Sequence, residues 1–148
     1  MATRGPKLNV GDLLEIPIAE NFAYAVYIGR HVEYGDVIWV VPGTFKRQPS
    51  NLTDILAKSG YLAFYPARSA ASQKLVDVVG ASGIEQLPDV PRHLRRAGAR
   101  ARTGEILAWV VENDGIDTLR TQLSEQEKQL PIAAIWNHAF LLARIAEE

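Results

Sequence analysis

Hydrophobic positions recur with period two between Val10 and Pro42, and this stretch organises the chain. Leu14, Ile16 and Ile18 alternate with Leu13, Glu15 and Pro17. Phe22, Tyr24, Val26 and Ile28 then alternate with smaller or more polar neighbours. Successive strand side chains point to opposite sheet faces, so the spacing predicts two strands of a half-buried antiparallel sheet. Ala19-Glu20-Asn21 is short enough for a hairpin, and His31 to Gly35 makes the next connection. A third strand, Val37 to Val41, is apolar throughout and includes Trp39, which implies burial on both faces. Pro17 lacks an amide donor and therefore places part of the first strand at a sheet edge or bulge. Gly11-Asp12 and Gly35-Asp36 open the first and third strands, where Gly supplies unusual backbone angles and Asp bonds nearby amides.

Beyond Pro42-Gly43 the period changes. Leu52, Ile55 and Leu56 share one face of a short helix, with Ser50 or Asn51 as its cap and Gly60 at its close. Tyr61 to Tyr65 has strand composition and ends at Pro66, while ARSAASQK after it reads as a small, polar surface connection. Leu75 to Val79 supplies another strand. From Ala81 to Gly104 the apolar periodicity disappears, which predicts a long loop rich in Pro and Arg. Glu105 to Glu112 is a second strongly apolar strand, expected in the core beside the opening meander, and Asn113-Asp114-Gly115 turns it into Ile116 to Thr121. Ser124 and Glu127 have the spacing of a capping box, and Pro131 suits the first turn of a last helix. Ile132, Ile135, Trp136, Ala139, Phe140 and Ala143 give that helix an apolar face; Leu142 and Ile145 widen it, for the core or for a homodimer. His138 lies one position off the stripe and reads as a surface residue.

These elements predict an α+β fold: a bent, mainly antiparallel β-sheet, or a partial barrel, carrying a short mid-chain helix and a C-terminal helix packed on it. The expected organisation is a single domain over 1–148, with a flexible 1–9, a β-meander over 10–42, a loop over 81–104 and a helical C-terminus over 124–147.

Composition narrows the function classes. The net charge of −1 provides no global field for nucleic acid or an anionic membrane. With no cysteine, disulfides and thiolate metal sites are excluded. No signal peptide is visible in MATRGPKLNV, and no later segment has the roughly 20 apolar residues of a membrane span, so a cytoplasmic protein is expected. His31, His93 and His138 lie far apart and lack metal-ligand spacings, and neither a nucleophile elbow nor a phosphate-binding loop occurs. No enzyme is expected on these grounds. The distinctive charge cluster is Arg92, Arg95, Arg96, Arg100 and Arg102, whose planar guanidinium groups suit phosphate or an acidic protein surface. Glu15, Glu20, Glu33 and Asp36 form a candidate acidic rim, in which Glu33 and Asp36 join the five arginines as candidate partner contacts.

Gly11-Asp12, Ile16-Pro17-Ile18, Tyr24-Ala25, Leu87-Pro88, Trp109, Leu130-Pro131-Ile132 and Ile135-Trp136-Asn137 form a pattern along the chain. It resembles the bacterial polymorphic-toxin immunity proteins of immunity protein family twenty-six, from about Val10 to Ile145. The resemblance implies a cytoplasmic protein that binds and blocks a cognate toxin, with no catalysis and no cofactor. Gly11, Asp12, Pro17, Pro131 and Trp136 match as fold determinants, and no binding signature carries over. The alternative reading is a small nucleic-acid-binding module that uses the loop from Arg92 to Arg102.

Overall fold

In the computed structural model, which describes residues 7–147, the three strands of the predicted meander form at Asp12–Ile18 (β1), Asn21–His31 (β2) and Gly35–Val40 (β3). A mid-chain helix, Leu52–Ser59 (α1), follows, then a strand at Tyr61–Phe64 (β4), a short helix at Ala67–Ser72 (α2) and a strand at Asp77–Ala81 (β5). Strands also form at His93–Arg100 (β6), Ile106–Asn113 (β7) and Ile116–Arg120 (β8), and the last helix is His138–Ala146 (α3). The fold is α+β with two antiparallel sheets, ordered β4-β3-β2-β1-β5 and β6-β7-β8, and the sheet is not closed into a barrel. No helix among the described residues is long and apolar enough to cross a membrane. Read from the sequence as one domain, the chain divides into two compact units, one reaching to Val90 and resuming at Ile135, the other spanning Pro91–Ala134.

In the first unit, both sides of the five-stranded sheet are covered, not one. Tyr24 and Val26 of the predicted apolar set are buried on one face, with Leu13 beside Val26. Leu14 and Ile16, the predicted set of β1, are fully buried on the other, opposite Ala25 and Ala23, and join Leu141 and Ile145 of α3 in the core. Ala23 and Ala25 leave room on this face for large side chains from the helices, so small residues mark a packing surface and not a solvated one. The opposite face carries Trp39, which meets Leu56 of α1 around Gly60. There a Cβ would lie 2.6 Å from the Trp39 ring nitrogen and 2.8 Å from the Leu56 carbonyl oxygen, so Gly60 is required by close approach rather than by its extended backbone.

Local details follow the predicted chemistry. β5 pairs with β1 only over Asp12 to Glu15, so Pro17 lies where β1 has left its second neighbour. The Asp12 carboxylate accepts from the Asn9 amide at 2.8 Å, a turn role as expected. The mobile terminus expected over 1–9 falls outside the described residues as far as residue 6; beyond it Leu8 is buried in the core, which corrects the reading there. ARSAASQK is not a plain connection, because Ala67, Ala70 and Ala71 bury one face of α2. The last helix starts seven residues after Pro131, at an Asn137 cap whose side chain accepts from the Phe140 amide at 2.8 Å. Its core face is accordingly Leu141 and Ile145, while Ile135 and Phe140 of the predicted stripe stay more than half exposed.

The second unit holds β6, β7 and β8. β6 replaces much of the predicted loop: HLRRAGAR has no apolar alternation, yet it pairs with β7 from His93↔Asn113 to Arg100↔Ile106. β7 and β8 meet through Asp114 and Gly115, whose φ values of 52° and 84° are those of the predicted two-residue hairpin turn. Leu107 on β7 is 54% exposed, so this strand is not the doubly covered element its composition suggests. The capping box forms as predicted. Ser124 and Glu127 exchange bonds of 2.9 and 3.1 Å, although only a single 3-10 turn, Glu127–Gln129, follows.

Candidate functional site

The first unit places its one buried charged side chain among the described residues at Asp36. Antiparallel pairing sets Asp36 opposite Arg30, beside a bulge between Tyr27 and Gly29 where Gly29 takes a φ of 148°. The Tyr27 hydroxyl donates to Asp36 Oδ1 at 3.0 Å. The Arg68 amide donates to Oδ2 at 3.1 Å, and Arg68 Nε stands 3.2 Å from Oδ1. Both carboxylate oxygens are therefore engaged, as a buried charge requires. Burial pushes the Asp36 carboxyl up from its ordinary value, against the downward pull of the Tyr27 hydrogen bond and Arg30. Burial, then the bond to Asp36, pushes the Tyr27 hydroxyl up to about 12, so it stays a donor.

Asp36 is among the residues that line an open cleft of about 830 Å³. Lys7, Arg30 and Arg68 bring three positive charges to its walls, with Ser69 and Ser72 adding hydroxyl groups. Leu8, Pro66 and Ile135 supply apolar surface. Arg68 uses only its Nε and backbone amide on Asp36, and its side chain is 45% exposed.

A second polar contact lies in the same unit. The Tyr65 hydroxyl is 2.7 Å from His138 Nδ1. Burial pushes Tyr65 up to about 12 and holds His138 below its ordinary value. A neutral imidazole accepting at Nδ1 from a protonated phenol satisfies both shifts, with the ring proton on Nε2. His138 is thus a half-buried partner of Tyr65 rather than a free surface residue.

The candidate residues chosen from sequence are dispersed by the fold. Asp36 leaves the expected acidic rim because it is buried, and Glu15 accepts from the Tyr24 hydroxyl at 2.9 Å. Glu33 remains exposed in the β2–β3 turn, where its amide donates to His31 Nδ1 at 3.0 Å. Arg95 and Arg96 are adjacent strand residues and point to opposite faces of the three-stranded sheet. Arg95 donates from Nε to the Leu130 carbonyl at 3.0 Å, with its guanidinium 5.0 Å from the centre of the Trp109 ring. Arg96 pairs with Glu112 at 2.8 Å and Asp117 at 2.9 Å. Arg92 lies 3.7 Å from Asp114, Arg100 donates to the Gly104 carbonyl, and Arg102 is exposed. The five arginines do not converge on one patch. Sequence reasoning passed over Lys7, Arg30 and Arg68, whose wide separation hides their convergence; the one local signal was a charged Arg30 beside Gly29 in an apolar strand.

Fold and clusters together define an α+β protein with two antiparallel sheets and a cationic cleft lined in part by a buried carboxylate. No protein-family model, curated protein or solved structure matches the chain.

Proposed function

We propose that the protein is a stoichiometric inhibitor of the immunity type, which binds a cognate bacterial toxin in the cytoplasm and neutralises it without turnover. The sequence pattern from Gly11-Asp12 to Trp136-Asn137 motivates this reading. The observation that carries it is the composition of one face of the three-stranded sheet. By register and alternation Leu107, Trp109, Arg95 and Ile116 share that face. Arg95 stacks over Trp109, while Leu107 and Ile116 are 54% and 71% exposed. Trp and Arg anchors that share a sheet face with exposed aliphatic groups are the makings of a protein-binding hot spot. The opposite face pairs Arg96 with Glu112 and Asp117 and also carries the buried Leu94 and the exposed Leu119.

The test is to find whether an adjacent gene encodes a toxic product and to co-express the two. The protein restores growth and co-purifies with the toxin as a one-to-one complex, and Trp109→Ala weakens the complex by about 2 kcal/mol or more while leaving the fold intact. Growth arrest in the presence of the wild-type chain counts against the proposal. So does retention of RNA or DNA that fades steeply with salt and with Arg95→Ala.

A further inference from the structure

We infer that the cleft beside Asp36 is a binding site for a small organic oxyanion, a phosphomonoester or polycarboxylate, held by Lys7, Arg30 and Arg68. The inference goes beyond the inhibitor reading and does not rest on it. Lys7, Arg30 and Arg68 line this cleft together with one carboxylate, Asp36, which is already engaged on both oxygens by Tyr27 and Arg68. Lys7 and Arg30 make no close salt bridge among the described residues, although Arg30 acts on Asp36 through its charge, and the terminal guanidinium nitrogens of Arg68 make no contact with Asp36. Converging like charges repel one another unless an anion sits between them. Arg68 is held before any ligand arrives, since Asp36 grips its Nε and backbone amide and Tyr27 grips Asp36, so little ordering is lost on binding.

Size and lining identify the class of ligand. A cleft of about 830 Å³ falls in the range of small-molecule sites and far exceeds a bare inorganic ion. Leu8, Pro66 and Ile135 give an organic body apolar surface to rest on, while the Ser69 and Ser72 hydroxyls can bond its polar groups. The planar fork of arginine fits phosphate and carboxylate alike.

Calorimetry and amide chemical shifts, with inorganic phosphate, adenosine monophosphate and citrate as probes, test the site. Adenosine monophosphate or citrate is expected to bind more tightly than phosphate and to move the amides of Gly35, Asp36, Arg68 and Ser69; whichever binds tighter tells phosphomonoester from polycarboxylate. Arg30→Gln, at an exposed position that leaves the fold unchanged, is expected to weaken binding about tenfold or more. Asp36→Asn supplies a second arm. It removes a negative charge yet weakens binding, because Arg68 loses its anchor, whereas a diffuse cationic surface would bind anions more tightly. Tyr27→Phe repeats that arm with the charge kept. The inference is overturned if no probe moves those amides up to about 10 mM, if Arg30→Gln binds as wild type does, or if Asp36→Asn binds more tightly. None of these outcomes bears on toxin neutralisation, which co-expression reads separately.

Discussion

Replacing Asp36 by alanine removes the polar anchor of the first unit. Its carboxylate is 6% exposed, accepts from the Tyr27 hydroxyl at 3.0 Å and from the Arg68 amide at 3.1 Å, and lies 3.2 Å from Arg68 Nε. The Tyr27 hydroxyl and the Arg68 amide both lose their acceptor, and each orphaned buried group costs about 1–3 kcal/mol. The Arg68 side chain is 45% exposed, so solvent screening makes its ion pair a minor part of the total. The sum predicts a loss of about 3–5 kcal/mol for Asp36→Ala, measured by urea denaturation at neutral pH. Asp36→Asn keeps one acceptor for Tyr27 and is expected to lose about half as much. The pH dependence supplies a second check with a definite sign. Burial raises the Asp36 carboxyl above its unfolded value of 3.8, so its contribution is fully present below that pH and falls as pH climbs through the folded pKa. Wild type should therefore lose stability relative to Asp36→Asn over that climb and level off above it. An Asp36→Ala variant within about 0.5 kcal/mol of wild type would refute the reasoning, since a solvated carboxylate behaves that way.

Further predictions concern the core, a close approach and a half-buried histidine. Leu141 is fully buried between α3 and the sheet, so Leu141→Ala should cost about 2–5 kcal/mol in chemical denaturation. Gly60→Ala should cost about 1–3 kcal/mol, because its Cβ would meet a backbone carbonyl at 2.8 Å; a neutral result would show that α1 can shift away from β3. Burial holds His138 below 6.5, so its contribution to stability is present above 6.5 and lost as pH falls through the folded pKa. His138→Gln should flatten the stability profile across that window, and an unchanged slope would mean the imidazole is not what titrates there.

The meander was legible because Leu14, Ile16, Tyr24 and Val26 repeat at the period of a strand, and the Asp114-Gly115 turn because its backbone angles favour those residues. β6 was hidden because arginine, alanine and glycine give no apolar alternation; its place comes from pairing with β7. α3 begins at the Asn137 cap and not near Pro131, because the Asn137 side chain caps the Phe140 amide. Gly35-Asp36 looks like Gly11-Asp12 along the chain, yet one Asp caps a turn and the other is buried. Only the fold distinguishes them, by delivering Arg68 from 32 residues away. The cationic cleft was invisible for the same reason: its charges come from a terminal segment, a strand and a helix.

On the proposed function, the protein acts by fitting another protein rather than by turning over a substrate. Purifying it after co-expression with a toxic product of an adjacent gene tests this most directly. The proposal predicts a stable one-to-one complex in which the toxin is silent and regains activity when Trp109→Ala loosens the contact. A toxin that stays fully active and unbound beside the intact chain would contradict it.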